Sequence, residues 1–97
     1  FRPSVLSDVS NIDLSGLVHG RRKRLPIILA PMGSLDALDP GGALTVARAA
    51  EEFGVISYLS SVTSPSIEEI AEKTDHEKVF QLYVRGDLNW ISEVVKK

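Results

Sequence analysis

The chain has 97 residues, with 11 Lys and Arg against 13 Asp and Glu, a formal net charge of −2. Apolar residues make up 43% and charged residues 25%, ordinary globular values that exclude a disordered or collagen-like chain. There is no cysteine, which excludes a disulfide scaffold and a thiolate metal site, and no apolar stretch approaches the ~20 residues that span a bilayer.

Residues 1–24 show no long hydrophobic period. The opening Phe1-Arg2-Pro3-Ser4 has no apolar signal core. With the lack of cysteine this makes a cytoplasmic location the expectation, a peroxisomal one being compatible. Gly16-Leu17-Val18-His19-Gly20 followed by Arg21-Arg22-Lys23-Arg24 reads as a short hairpin turning at Gly20. Pro26 to Ala30 is a continuous apolar run, the pattern of a strand buried on both faces. Pro31-Met32-Gly33-Ser34 breaks it. Asp39-Pro40 is a helix-start signal, Asp as N-cap and Pro in the first helical position. Ala43, Val46, Ala47, Ala50 and Phe53 then fall on one helical face, and Gly54 ends the helix.

Residues 55–59 predict a second strand and residues 60–65 a polar loop. Ser66 and Glu69 form a capping box for a helix running to about Lys73. Lys78 to Val84 predict a third strand. Arg85-Gly86 turns, Asp87 caps, and Leu88, Ile91 and Val95 begin a third helix. The order β-α-β-α-β-α implies an α/β fold with parallel strands and right-handed crossovers. Either an open doubly wound sheet or part of a (β/α)8 TIM barrel fits. Met32-Gly33-Ser34 offers one glycine where a dinucleotide fingerprint needs G-x-G-x-x-G, so that type of cofactor binding is disfavoured. In both architectures function gathers at the carboxyl ends of strands. Those ends carry Pro31-Met32-Gly33, Ser60-Ser61, and Gln81 with Tyr83, the last two on one face by strand alternation. A Gln and a Tyr side by side on an inner face suggest a polar ligand.

Phe1-Arg2-Pro3, Leu6-Ser7-Asp8-Val9, Ile12-Asp13, Leu29-Ala30-Pro31, Ala47-Arg48-Ala49-Ala50, Leu59-Ser60-Ser61, Ser66-Ile67-Glu68-Glu69 and Phe80-Gln81-Leu82-Tyr83-Val84 stand in this order along nearly the whole chain. Together they resemble the FMN-dependent α-hydroxy acid oxidases and dehydrogenases, the group of glycolate oxidase, lactate oxidase, mandelate dehydrogenase and flavocytochrome b2. The resemblance implies a TIM barrel, an FMN cofactor and oxidation of a small 2-hydroxy acid to a 2-keto acid. It implies that the main chain of Pro31, Met32 and Gly33 lies against the flavin, and that Ser60 and Gln81 bond its polar and pyrimidine edges. It implies that Tyr83 faces the substrate as the catalytic residue of this segment. Departures are Val62 where Trp is frequent, Met32 where Thr is frequent, and Gly33 where Ala or Gly occurs. The family's catalytic His, substrate-binding Arg, flavin-side Lys and phosphate site match nothing in this chain. The expectation is therefore an N-terminal extension over 1–24, then the first three βα units of an incomplete barrel over 25–97, inactive alone. A whole barrel needs about 250 residues. The remainder of the barrel is then the expected partner, and a homo-oligomer the expected complete form.

Two other readings stay open. A non-enzymatic α/β module would use Arg21 to Arg24 on an anionic partner, although the net negative charge favours a solvated turn and no nucleic-acid role. Another FMN-dependent barrel enzyme with a different substrate is the second. His19 and His76 sit in polar loops and read as surface residues, without a metal-ligand partner at suitable spacing. Phe53 and Trp90 read as packing residues.

Overall fold

The computed structural model describes residue 3 and residues 5–96. The Phe1-Arg2 part of the opening motif and Lys97 lie outside the described residues. In chain order the elements are β1 (Gly16–Val18), β2 (Arg21–Lys23), β3 (Ile28–Leu29), a 3-10 turn (Leu35–Ala37), α1 (Ala43–Phe53), β4 (Ile56–Ser60), α2 (Ile67–Lys73), β5 (Lys78–Gln81) and α3 (Leu88–Val95). β1 and β2 pair antiparallel. β3, β4 and β5 form a parallel sheet in sequence order.

The hairpin is present as expected. His19 and Gly20 both take positive φ, 49° and 74°, the conformation of a two-residue loop whose twist matches its strands. Arg21 and Lys23 both reach the Glu77 carboxylate, at 3.3 and 2.9 Å. Glu77 stands just before β5, so the hairpin is tied to the amino-terminal ends of the parallel strands. His19 stays exposed. Its Nε2 shares a 2.8 Å hydrogen bond with the Tyr58 hydroxyl, and the two rings stack at 6.1 Å. Arg22 bonds Asp13 at 2.7 Å, and the Arg24 guanidinium lies 4.5 Å above the Phe53 ring. All four members of the basic run thus have partners within the chain.

The first parallel strand is shorter than the apolar run. Only Ile28 and Leu29 join the ladder, and Ile27 and Ile28 are 49% and 38% exposed rather than buried on both faces. The reason is topological: β3 has β4 on one side and no hydrogen-bonded neighbour on the other among the described residues.

α1 also starts later than its signal. Asp39 does not cap it. The Asp39 carboxylate accepts from Gly41 N–H at 2.8 Å and Thr45 Oγ1 at 2.6 Å, closing a local turn. These bonds, the hydroxyl's first, hold the Asp39 carboxyl below its usual range. The N-cap is Gly42, at φ 52° and ψ −133°, a conformation open to glycine. The next amide, Ala43 N–H, donates to the Ser64 carbonyl at 3.0 Å, so the helix start is fastened to the loop after β4. Gly54 ends α1 with φ 81°, its N–H donating to Ala50 and Glu51 carbonyls. α2 has the predicted capping box in full: Glu69 N–H donates to Ser66 Oγ, and Ser66 N–H to the Glu69 carboxylate. Asp87 caps α3 by accepting from Trp90 N–H at 2.9 Å.

The core is small. Ala43 and Ala47 of α1, Leu59 of β4 and Ile70 of α2 pack together, with Leu35, Leu44 and Ile67 against them. Small alanines let α1 approach the sheet closely. Phe53 departs from the expected face: it is 42% exposed beneath Arg24 instead of in this cluster. Trp90 is half-buried and packs on Gly86, whose absent Cβ would stand 2.7 Å from the Trp90 Cβ. No residue of α3 is buried. The Cα radius of gyration is 17.3 Å, well above the ~13 Å of a self-contained 100-residue domain.

Candidate functional site at the strand ends

Strand alternation assigns two faces to the sheet. Leu59 faces the helices, as its packing on α1 and α2 shows. Ile56, Tyr58 and Ser60 therefore share the opposite face. The register sets Ile28 beside Ile56, Val79 beside Tyr58, and Gln81 beside Ser60. Ser60 and Gln81, chosen from sequence 21 positions apart, are thus cross-strand neighbours at the carboxyl ends of β4 and β5.

The loops beyond these ends are tied to one another. Ser34 N–H donates to the Val62 carbonyl at 3.1 Å, joining the loop after β3 to the loop after β4. Ser61 N–H donates to the Gln81 carbonyl at 3.0 Å, and Tyr83 N–H to Ser61 Oγ at 3.1 Å, joining the loops after β4 and β5. Ser61 thus does loop work, while Ser60 is buried and its Oγ accepts from Val62 N–H at 3.3 Å. A serine oxygen has a second lone pair and a rotatable O–H, so this bond leaves Ser60 able to meet another polar group.

Gln81 Oε1 is buried and has no hydrogen-bond partner among the described residues. Thr63 Oγ1, in the same loop cluster, is in the same condition. Buried amide and hydroxyl groups are normally paired. Gln81 stands at the carboxyl end of β5 and Thr63 in the loop after β4; Ser15 Oγ and His76 Nδ1, away from the strand ends, are also unpaired among the described residues. The threonine was not singled out from sequence, since five of the seven residues from Ser60 to Ser66 are Ser or Thr, with no local mark on one of them. Pro31 is half-buried, Met32 is 51% exposed and Gly33 is exposed.

Tyr83 lies beyond the ladder. β5 ends at Gln81 instead of running to Val84, because Tyr83 N–H turns to Ser61 Oγ. Its ring is 48% exposed on the described surface. The alternation that set Gln81 and Tyr83 on one face of a continuous strand does not extend so far.

Two further features lie away from this cluster. A cleft of about 710 Å³ runs between α2, β5 and α3, lined by Ile67, Ala71, Phe80 and Val94 among others. Phe80 shares the helix-facing side with Leu59, so this cleft lies behind the sheet; Ser60, Ser61 and Thr63 only rim it. His76 is not the surface residue its polar loop suggested. It is half-buried, with Nε2 2.8 Å from the fully buried Ser57 Oγ. Burial above all, and then the Lys78 and Lys23 charges, hold its imidazole below the ordinary value of 6.5 against an opposing pull from Glu51. Among the described residues no helix is long and apolar enough to cross a membrane.

Parallel βα units in sequence order, with polar loops joined at the strand ends, fit a partial (β/α)8 barrel of the TIM class. The chain belongs to the FMN-dependent dehydrogenase family, whose model matches residues 1–97. Among curated relatives, glycolate oxidase 1 of Oryza sativa subsp. indica is 40% identical over 97 residues, covering 100% of this chain and 26% of the relative. Glycolate oxidase of Spinacia oleracea is 38% identical over the same span. A solved structure of a soluble mutant of the membrane-associated (S)-mandelate dehydrogenase from Pseudomonas putida superposes with a TM-score of 0.91 and 38% identity. That match covers 99% of this chain and 28% of the dehydrogenase. The chain therefore spans about a quarter of the length of the curated relatives it matches.

Proposed function

We propose that this chain is the N-terminal part of an FMN-dependent oxidoreductase that converts a 2-hydroxy acid to a 2-keto acid. Residues 1–24 form the extension and 25–97 the first three βα units. The observation that carries the reading is the buried, unpartnered Gln81 Oε1 beside Ser60, at the strand ends of a chain in this family. A flavin's pyrimidine ring presents alternating N–H and C=O groups, the complement of an amide and a hydroxyl side by side. The glycine at 33 and the ring of Pro31 leave the first loop's backbone free to lie against a flat ring.

FMN supplies the two-electron acceptor. The residues here bind and orient. Gln81 and Ser60 fix the pyrimidine edge, and donors at that edge raise the flavin's electron affinity. The Pro31–Gly33 segment supports the ring. Tyr83, anchored through its own N–H to Ser61, offers a phenol that orients the substrate oxygen and stabilises charge that develops there. The general base and the substrate-carboxylate partner belong to the remainder of the barrel, which also covers the open edge of β3.

The full-length protein tests this directly. It should purify yellow, and a 2-hydroxy acid should bleach the flavin band without oxygen. A colourless protein that takes up no added FMN would sink the proposal. Tyr83→Phe should lower turnover more than flavin content; if it instead empties the site of FMN, the role given to Tyr83 is wrong. The binding-module alternative is less favoured, because each residue of Arg21 to Arg24 has a partner within the chain and the chain's family is that of FMN-dependent dehydrogenases.

A further inference from the structure

Gly33 does not take a positive φ, so it is not required by backbone conformation. It is required by space. A Cβ at this position would stand 2.8 Å from Val62 Cγ2 and 3.2 Å from the Val62 carbonyl oxygen. The next residue completes the contact, Ser34 N–H donating to that same carbonyl at 3.1 Å. The loop after β3 and the loop after β4 thus meet at one point, with a glycine on one side and a β-branched side chain on the other.

Neither side yields easily. Valine has a stiff χ1, so its methyl cannot swing away freely. The carbonyl is held by the Ser34 bond, and Val62 N–H is held by Ser60 Oγ. A displacement of Val62 therefore moves Ser60, and a displacement of residue 33 moves Pro31 and Met32. Both segments belong to the candidate flavin site.

We infer that Gly33 and Val62 are a size-matched pair of positioning residues that sets the separation between the Pro31–Gly33 backbone and Ser60, and so the width of the flavin seat. This rests on the FMN reading above. The pair touches the geometry of the seat and performs no chemistry itself.

The test is a double-variant cycle in the full-length protein: Gly33→Ala, Val62→Ala and the two together. FMN affinity is read by flavin fluorescence on rebinding, and the seat's shape by the visible absorption spectrum of the bound flavin. Gly33→Ala should weaken FMN binding about tenfold, as one extra methyl in a tight contact does, and shift the spectrum. In the double variant the 2.8 Å conflict is gone, because the Cγ2 atom is gone, and only the 3.2 Å approach to the Val62 carbonyl oxygen remains. Affinity and spectrum should then lie closer to Val62→Ala than Gly33→Ala lies to the parent protein. If Gly33→Ala yields no folded protein, the double variant decides alone: a folded, FMN-binding double variant supports the pair, and failure to fold overturns it. An additive cycle in FMN affinity overturns it too, even if melting temperatures are coupled, since that would make the contact structural only. A parent protein that takes up no flavin refutes the FMN reading itself, before any variant is made.

Discussion

Replacing Gly42 and Gly54 by alanine, one at a time, separates two effects that positive-φ glycines usually combine. Gly42 and Gly54 flank α1, with φ 52° and 81°. A Cβ on Gly54 would meet nothing within 4 Å, so Gly54→Ala suffers only the left-handed penalty of an L-residue, about 1–2 kcal/mol. At Gly42, ψ is −133°, outside the left-handed helical well, and a Cβ would collide with the Ser64 carbonyl oxygen. Backbone strain of about 1–3 kcal/mol and a steric term of similar size act together there, for about 2–6 kcal/mol in all. The collision falls on the oxygen that accepts from Ala43 N–H, so relief by moving Ser64 breaks the tie between α1 and the loop after β4. The assay is a thermal or urea melt of the full-length protein with each single variant, with FMN affinity measured alongside. Gly42→Ala should be clearly the more destabilising and should also weaken FMN binding, because Ser64 closes the loop that begins at Ser60. Gly54→Ala should leave FMN affinity unchanged. Equal destabilisation by the two variants would refute the reasoning, since it would make the Ser64 contact irrelevant.

Other outcomes follow from single contacts. Leu59→Ala removes a side chain 2% exposed at the centre of the α1–β4–α2 cluster and should cost about 2–5 kcal/mol, measured by urea midpoint. Ser66→Ala deletes the hydroxyl half of the α2 capping box and should cost about 1 kcal/mol, with Ser66→Asp retaining most of it. Because the His76 pKa is lowered in the fold, the unfolded chain binds the proton more readily. The stability from this group is whole above pH 6.5 and is lost as pH falls from there through the lowered folded value. His76→Gln should flatten that slope as pH falls below about 6.5 in urea titrations. Gln81→Leu should reduce FMN content more than it reduces thermal stability, since among the described residues no hydrogen bond depends on the Oε1 atom.

What could be read from sequence was what is decided over a few residues. The Ser66 capping box, the Asp87 cap, the Gly54 terminator and the His19-Gly20 turn each involve neighbours at most a helical turn apart, and each stands as expected. Asp39 failed as a cap for a local reason of another kind. Gly41 and Thr45 offered its carboxylate two donors in a turn, and the flexible Gly41-Gly42 pair let the helix begin three residues later. Burial was less legible because it depends on distant partners: Phe53 went under Arg24, and His76 found Ser57 across the sheet. In the candidate site, strand-end position singled out Ser60 and Gln81, and the register sets them side by side. The orphaned Thr63 hydroxyl and the Gly33–Val62 contact depend on how two loops fold back on each other, which no spacing encodes.

The order of the parallel sheet bears on how the chain assembles. Spatial order equals sequence order, β3 then β4 then β5, and the paired residues are close along the chain: Ile28 with Ile56, Ser57 with Lys78. Each strand can therefore dock on its predecessor as it leaves the ribosome, at the modest entropic cost of closing one short crossover. β3 is left with Ile27 and Ile28 on an open edge throughout. During synthesis such an edge is a template for any passing strand, so its apolar residues are where mispairing of the nascent sheet would begin.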